Sequence, residues 1–457
     1  MVTEENIEKQ AVNLYQGVRG FAVKILNRVD RTDAYLDKLL EIELKNSNLS
    51  GPDKALLFEI VHGVMRWMGR IDWILNGFYK GQFSKVVPNI KNALRVALYQ
   101  ILFLDKIPDY AAVNEAVEFV KKLQGQKYAD LANAVLRNII RSKDSIRYPD
   151  PNEDIVAYLS AYYSHPTWMV KRWLNRYGKE QTEKLLSFNN NKPSHTLRVN
   201  GLITNKDEFA RLLDSVELKY SFSKYLPNFI RLNILTNITD WEYFNKGYFS
   251  IQDESTALPV LLLEAQPGMR ILDLCAAPGG KTAYIADILQ NNGEIIAIDR
   301  FESRLKILQK NLSRLTVSCV RTVVKDALEF EDEEGFDRIL VDAPCSGLGT
   351  LTKKPDLKWK KDLGDIRKIV NIQYNLIKKG ASLLKVGGSL VYSTCTMEPE
   401  ENQETIKKFL SEFPNFELVD ASKILNSELV DNDGFVCTYP HIHGIDGSFA
   451  AKLVRKH

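Results

Sequence analysis

Apolar residues in the first third of the chain recur every three or four positions. The repeat runs from residue 5 to about residue 145 and is clearest over residues 53–66 and 112–120. That spacing places apolar side chains along one face of an α-helix. We therefore predict a separate all-α domain over residues 1–147. The next segment, 148–153, reads Tyr-Pro-Asp-Pro-Asn-Glu, and its proline and asparagine content is typical of a linker.

Residues 155–250 combine helical patterns with short β-like runs. Helical spacing extends from Trp168 to Phe188 and from Lys206 to Asp214. Residues 196–200 and 248–251 are short runs with the composition of strands. This mixture predicts a small α+β module.

After residue 265 the pattern becomes strand, tight turn and helix, repeated several times. Apolar runs predict strands at Arg270–Leu274, Glu294–Ile298, Val320–Val324, Arg338–Val341 and Ser389–Tyr392. Helical spacing lies between or after them at Lys281–Leu289, Ser303–Leu315, Ile366–Leu384 and Glu400–Leu410. This alternation predicts a doubly wound parallel α/β domain over residues 251–457, with ligands bound beyond the carboxyl ends of its strands.

Composition adds limits to this picture. A chain of 457 residues with 45% hydrophobic and 26% charged residues fits a soluble multidomain protein. The first ten residues, MVTEENIEKQ, lack the features of a secretory signal, and no run approaches the roughly 18 apolar residues that span a bilayer. We expect a cytoplasmic protein without membrane association. The five cysteines include no C-x-x-C pair, which predicts reduced thiols and neither disulfides nor a zinc cluster.

The net charge of +3 does not by itself indicate a polyanionic partner, but the charge is unevenly distributed. Residues 80–147 carry twelve Lys or Arg against six Asp or Glu, and residues 351–385 carry ten against three. Two basic surfaces are one interpretation of these segments, and ordinary solvated helix faces are the other.

A glycine-rich turn follows the first strand of the C-terminal domain. It predicts a cofactor site formed by Cys275, Ala276, Ala277, Pro278, Gly279, Gly280 and Lys281. Glycines let the backbone approach a ligand, and the helix amino terminus offers free N–H groups. Asp299 ends the next strand, where a nucleotide-binding sheet places an acid for the ribose hydroxyls. Because G-x-G-x-x-G is absent, S-adenosylmethionine fits this turn better than NAD.

Asp326, after the third predicted strand, allows two interpretations. Its carboxylate could bind the adenine amino group of the cofactor, or it could cap the following helix, since aspartate is a favoured N-cap.

Two cysteines follow neighbouring predicted strands. Cys345 lies in Asp342-Ala-Pro-Cys-Ser-Gly after the fourth strand, and Cys395 lies in Tyr392-Ser-Thr-Cys-Thr after the fifth. A thiolate that adds to carbon 6 of cytosine turns carbon 5 into a nucleophile able to accept a methyl group. Asp342 could hydrogen-bond the base if protonated, or contact the base amine or the cofactor if ionised. The residue pattern leaves open which cysteine attacks.

Several long motifs together resemble those of the RNA cytosine-5 methyltransferases, and over nearly the whole chain the similarity is to the bacterial RsmB (Sun/Fmu) type. These motifs are Gln252-Asp-Glu-Ser-Thr-Ala, Cys275-Ala-Ala-Pro-Gly-Gly-Lys, Asp342-Ala-Pro-Cys-Ser-Gly and Tyr392-Ser-Thr-Cys-Thr with Pro399-Glu-Glu-Asn. Residues 111–117 and 133–138 resemble the NusB-like helical RNA-binding domain of this type, and residues 196–200 its small middle module.

The resemblance carries specific expectations. It implies that Cys395 attacks the base, that Cys345 assists product release, and that Asp342 belongs to the same site. It implies a Rossmann-like domain that binds S-adenosylmethionine and a cytosine of small-subunit ribosomal RNA as the target. Separately from the resemblance, nothing in the sequence indicates obligate self-association or a metal site, so we expect a monomer without a metal. Two departures are minor: Asp446-Gly-Ser-Phe replaces Asp-Gly-Phe-Phe, and Lys353-Lys-Pro-Asp replaces Arg-Asn-Pro-Asp.

Other interpretations stay open at this point. Pro344-Cys345 is also the order used for the nucleophile by DNA cytosine methyltransferases, so another RNA or DNA could be the substrate. A non-catalytic RNA-binding assembly factor is a further alternative. Trp359 could stack on an extruded base or pack in a core. His441 and His443 could suggest a metal pair, but no carboxylate or thiol lies at ligand spacing.

Overall fold

The chain divides into two units. The computed structural model describes residues 14–232 and 238–457. One unit comprises residues up to 191 together with 351–360, and the other comprises 192–350 and 361–457. Within the described residues, no helix combines the length and the apolar character needed to cross a membrane.

The first unit is helical. Its helices span Gly17–Arg31, Leu36–Lys45, Gly51–Phe78, Pro88–Phe103, Asp109–Gln124, Gln126–Arg141, Ile155–Tyr162 and Thr167–Asn189, with the short Leu357–Lys360. The long third helix begins at a favoured cap, because the Ser50 side chain accepts a hydrogen bond from the Asp53 N–H. The last long helix is not continuous, since Gly178 has a φ of +72° and breaks it. The all-α character predicted for residues 1–147 is confirmed over the described residues 14–147. The unit also contains the helices Ile155–Tyr162 and Thr167–Asn189, which lie in the segment predicted to form the α+β module.

A ten-residue strap, Leu351–Lys360, belongs to the helical unit although it follows the Pro-Cys motif in sequence. Lys358 is fully buried there, and its ammonium donates to the Arg66 carbonyl, the Ser164 carbonyl and the Asn190 side-chain oxygen at 2.9, 3.2 and 2.9 Å. The indole N–H of Trp359 donates to the Met65 carbonyl at 2.7 Å.

These contacts decide two of the alternatives left by the sequence. Trp359 packs against the helical core, so its interpretation as a base-stacking residue is wrong. Lys358 and Lys360 also bind backbone oxygens of this unit, and the basic character of residues 351–385 is therefore only partly a surface property.

The middle part of the chain contains a four-stranded antiparallel sheet in the order β2-β3-β1-β4. Its strands are β1 (His195–Val199), β2 (Tyr220–Phe222), β3 (Phe229–Leu232) and β4 (Phe249–Ile251), with helices at Lys206–Ser215 and Glu242–Asn245. Strands β1 and β4 were predicted. Strands β2 and β3 were not predicted.

The C-terminal sheet is mixed and runs in the order β10-β12-β9-β8-β5-β6-β7, with β11 paired to β12. The strands are β5 (Arg270–Asp273), β6 (Glu294–Asp299), β7 (Val320–Val324), β8 (Phe336–Asp342), β9 (Leu384–Thr394), β10 (Phe416–Val419), β11 (Val436–Thr438) and β12 (Ser448–Arg455). The helices are Leu258–Leu262, Gly280–Ile288, Glu302–Arg314, Leu363–Leu383, Gln403–Glu412 and Pro440–His443.

Strands β5 to β9 pair in parallel, as the sequence predicted. The antiparallel β10, β11 and β12 were not anticipated. The direction of winding changes beside β5, which pairs with β6 on one side and β8 on the other. At such a switch point the helices lie on opposite faces and leave a crevice at the carboxyl edge of the sheet.

Candidate active site

The glycine-rich turn follows β5 and leads into the helix Gly280–Ile288. Gly279 has a φ of +99°, and a Cβ added there would lie 2.8 Å from Leu308 Cγ. The position therefore requires glycine on both conformational and steric grounds. A Cβ added at Gly280 would meet only Gln252, at 3.9 Å. The start of this helix consequently faces open space.

Asp273 lies beneath this turn and was not singled out from the sequence. It is 1% exposed, and one carboxyl oxygen accepts a hydrogen bond from the Thr282 hydroxyl at 2.8 Å. The other oxygen, Oδ1, is buried without a hydrogen-bond partner in the described structure. Burial is the main reason that the pKa of Asp273 rises to about 7, and the nearby charge of Asp342 adds to the rise.

Asp299 ends β6 at the same edge of the sheet. Its carboxylate accepts a hydrogen bond from the Phe301 N–H at 2.9 Å and pairs with Arg304 at 2.9 Å. Arg304 also donates to the carbonyl of Ala277 in the glycine-rich turn. This arginine, which the sequence analysis did not identify, joins the predicted ribose-binding acid to the predicted cofactor turn.

Asp326 caps the short helix that follows β7. Its side chain accepts a hydrogen bond from the Leu328 N–H at 3.0 Å. The capping interpretation is therefore correct, and the adenine contact remains a proposal.

Asp342 ends β8 and acts as a hydrogen-bond acceptor through both carboxyl oxygens. One oxygen pairs with the Lys281 ammonium at 2.7 Å, and the other accepts the Ser393 hydroxyl at 2.9 Å. Burial alone would lower the pKa of Lys281, but the charge and hydrogen bond of Asp342 raise it, with a further contribution from Cys395. The ion pair connects the glycine-rich turn with the end of β8.

The two cysteines lie side by side. Their Sγ atoms are 3.1 Å apart, and the backbone N–H of Cys395 donates to the sulfur of Cys345 at 3.3 Å. Both residues are partly exposed. The strand order of the parallel sheet brings together two residues that are 50 positions apart in sequence.

Their electrostatic surroundings differ. The pKa of the Cys345 thiol is raised well above its usual range by the hydrogen bond with Cys395, by burial, and by the negative charges of Cys395 and Glu401. Cys395 instead interacts with the Lys281 ammonium, whose pKa it helps to raise.

The small sheet supports the cofactor turn through a buried ion pair. Arg198 on β1 is 1% exposed and pairs with Asp287 at 3.0 Å. It also donates to Gln252 at 2.8 Å and stacks on Tyr284, with 4.6 Å between its guanidinium carbon and the ring centroid. Asp287 and Tyr284 belong to the helix that begins at Gly280, so this arginine anchors that helix.

The histidines near the C-terminus have structural contacts. His443 accepts the Tyr439 N–H at 2.8 Å through Nδ1, and its Nε2 lies 3.0 Å from the Glu428 carbonyl oxygen. Among residues 14–232 and 238–457, no group of three or more His, Cys, Asp or Glu is arranged to hold a metal ion.

Models of three families match successive parts of the chain. The NusB family matches residues 16–141, the RsmF/B-like ferredoxin-like domain matches residues 165–239, and the 16S rRNA methyltransferase RsmB/F family matches residues 260–454.

Curated relatives match nearly the full length. The probable ribosomal RNA small subunit methyltransferase B of Bacillus subtilis is 36% identical over 96% of this chain and 99% of its own. The ribosomal RNA small subunit methyltransferase B of Escherichia coli is 32% identical over the same shares.

Solved structures agree with this similarity. The crystal structure of PH0851 covers 96% of this chain and 99% of its own, with a TM-score of 0.80 and 27% identity. NSun6 of Pyrococcus horikoshii, solved with SFG, an analogue of S-adenosylmethionine, covers 64% of this chain and 98% of its own, with a TM-score of 0.59 and 26% identity. The chain is thus a methyltransferase that uses S-adenosylmethionine, and it belongs to the 16S rRNA methyltransferase RsmB/F family.

Proposed function

We propose that the protein methylates carbon 5 of a cytosine in small-subunit ribosomal RNA through a covalent bond between Cys395 and the base. The observation that carries the proposal is the pair of thiols 3.1 Å apart, one beside the Lys281 ammonium and one beside Glu401. Two thiols in such close contact can take different roles in one reaction, one as nucleophile and one as proton donor.

The residues at the sheet edge fit S-adenosylmethionine. The open start of the helix at Gly280 leaves room for a ligand. Asp299 offers carboxylate oxygens to ribose hydroxyls, and the unpartnered oxygen of Asp273 offers an acceptor to the cofactor's ammonium group. When bound, the cofactor supplies an electrophilic methyl group on a sulfonium.

Cys395 acts as the nucleophile in this proposal. Its thiolate donates an electron pair to carbon 6, and the electrons of the ring double bond become available at carbon 5 to form the bond to the methyl group, whose bond to the sulfonium sulfur would break with its electron pair left on that sulfur. Transfer of the proton on carbon 5 to solvent water leaves its electron pair in the ring, re-forms the double bond and expels the Cys395 thiolate.

Cys345 suits a different role, since its raised pKa keeps it protonated. It lies within hydrogen-bond distance of the sulfur that must leave. A protonated thiol at that position can stabilise the departing thiolate, which agrees with the release role implied by the family resemblance. Asp342 holds Lys281 in place and acts as an acceptor.

The covalent route predicts that Cys345→Ala accumulates a protein–RNA adduct that survives denaturing electrophoresis, because attack proceeds while release fails. Cys395→Ala should give no adduct, and Cys437→Ala serves as a control at a buried cysteine elsewhere in the domain. An adduct trapped by Cys395→Ala would reverse the two roles, and the absence of an adduct from both variants would refute the covalent route.

Bisulfite mapping of ribosomal RNA from cells with and without the gene tests the substrate, because the proposal requires the loss of one 5-methylcytosine when the gene is absent.

A further inference from the structure

Glu401 holds the polypeptide on both sides of Cys345. Its carboxylate accepts hydrogen bonds from the Ser346 backbone N–H at 2.8 Å and from the Gln373 side-chain amide at 3.0 Å. The same amide also lies 3.0 Å from the Pro344 carbonyl, to which it donates. Glu401 and Gln373 are both fully buried. The residues before and after Cys345 are therefore tied to one buried carboxylate.

Asn402, the next residue, holds both sides of Cys395 in the same way. Its side-chain oxygen accepts the Thr394 hydroxyl at 2.6 Å, and its side-chain amide donates to the Thr396 carbonyl at 3.0 Å. Asn402 also occupies the N-cap position of the helix Gln403–Glu412 but makes no capping hydrogen bond with its side chain. Asparagine is a favoured cap, so the interaction with the cysteine loop replaces the interaction that this position ordinarily supplies.

The two cysteine loops are also joined directly. The Ser346 and Thr396 hydroxyls are 2.8 Å apart, and the Tyr392 hydroxyl donates to the Glu401 carbonyl at 2.7 Å. Ser346, Thr396 and Tyr392 are each at most 1% exposed. Buried, hydrogen-bonded side chains have little freedom to move, since any displacement leaves a polar group unpaired. This network therefore fixes the relative position of the two loops.

We propose that Glu401 and Asn402 are positioning residues that set the distance between the Cys345 and Cys395 thiols, Glu401 acting on the first and Asn402 on the second. The inference rests on the proposed function in one respect, namely that both thiols take part in one reaction. Glu401 has a second effect, because its negative charge helps to raise the pKa of the Cys345 thiol. Each cysteine thus has its own buried support, and the two supports are adjacent in sequence.

The distance between the thiols can be tested without RNA or cofactor. An azodicarboxamide oxidant takes up two electrons and two protons from two thiols and joins them as a disulfide, at a rate that depends on how often the sulfurs meet. The full-length protein should form the Cys345–Cys395 disulfide rapidly, as followed by maleimide labelling and mass spectrometry. Glu401→Ala and Asn402→Ala should each slow it at least about tenfold, because a misplacement of reacting atoms by about 1 Å can cost on the order of a hundredfold in rate. Asn200→Ala, which removes two buried hydrogen bonds elsewhere in the same unit, should leave the rate unchanged.

Conservative variants separate positioning from a general loss of structure. In Glu401→Gln the amide oxygen can still accept both hydrogen bonds, so the cross-linking rate should return to that of the unaltered protein. The negative charge is lost, and the alkaline limb of the pH–rate profile for methylation should therefore shift to lower pH. Asn402→Asp keeps the acceptor for Thr394 and loses the donor to Thr396, so it should give an intermediate rate.

The two alanine variants should also affect different steps of methylation. Glu401→Ala should slow release and accumulate adduct, while Asn402→Ala should slow adduct formation. Unchanged cross-linking in both alanine variants would overturn the positioning role, whatever the enzyme methylates. Slowed cross-linking combined with no adduct from Cys345→Ala would support the positioning role and refute the covalent route.

Discussion

Replacing Asp273 with asparagine should change how the stability of the protein depends on pH. The carboxyl group is 1% exposed, and its pKa is about 7 in the folded protein against 3.8 for an unperturbed aspartate. Asparagine has nearly the same shape, and its side-chain oxygen can still accept the Thr282 hydroxyl. The substitution therefore removes the ionisation and preserves the packing.

The sign follows from where the proton is held. Between the unfolded and folded pKa values the folded protein keeps the proton on Asp273 and the unfolded chain releases it, so the stability of the unaltered protein falls as pH rises toward about 7. Each pH unit in this window corresponds to about 1.4 kcal/mol. From about pH 5 to about pH 8 the group titrates over roughly two units, so the unaltered protein should lose about 3 kcal/mol relative to Asp273→Asn.

The measurement is the free energy of unfolding by urea, without cofactor, for both proteins at the two pH values. Asp332→Asn is a suitable control, because Arg270 lowers the pKa of Asp332. That carboxylate is ionised in both folded and unfolded protein across the window, and the difference from the unaltered protein should not change with pH. A difference for Asp273→Asn that is equally constant would refute the assignment of a buried, proton-binding carboxyl group to Asp273.

Two further predictions concern the buried ion pair of Arg198 and the exposed lysines of the helical unit. Arg198→Ala leaves Asp287 buried without its cation, and this should lower the free energy of unfolding by about 3–5 kcal/mol. In urea titrations, the double variant Arg198→Ala with Asp287→Asn should lose less stability than Arg198→Ala alone. An equal loss in the single and double variants would contradict the pairing. If the helical unit binds RNA, replacing its exposed Lys121 and Lys122 with glutamine should weaken the salt dependence of RNA binding. The slope of log affinity against log salt concentration should become shallower by about 0.7–0.9 for each phosphate contact that is lost. Lys306→Gln, an exposed lysine of the other unit, is the control, and an unchanged slope in the double variant would exclude these lysines from the interface.

Point substitutions are preferable to deletion of the helical domain because of the strap. Residues 351–360 lie in sequence between two segments of the other unit but belong to the helical unit. Removing the helices would leave the Lys358 ammonium and the Trp359 ring without their partners. A truncated protein would then report on misfolding as well as on RNA binding.

The sequence by itself determined the fold class of each part and predicted which residues carry the chemistry. Apolar periods of 3.6 residues predicted the helices, and short apolar runs ending in polar residues predicted strands β5 to β9. Because the carboxyl ends of parallel strands meet at one edge of a sheet, the sequence also predicted that Asp299, Asp342, Cys345 and Cys395 lie near one another. These features depend on the spacing of apolar and polar residues that are close together in the sequence.

Only the tertiary structure decided which interactions those residues make. The oxygen atoms that bind Lys358 come from residues 168, 194 and 292 positions away, and nothing in a lysine-rich segment indicates burial. Strand β12 inserts between β9 and β10, a pairing between distant segments that short runs do not specify. The sequence likewise left the roles of the two cysteines open. Their different surroundings arise from Lys281 and Glu401, whose charges reach them only through folding, because electrostatic interactions depend on distance in space and on burial.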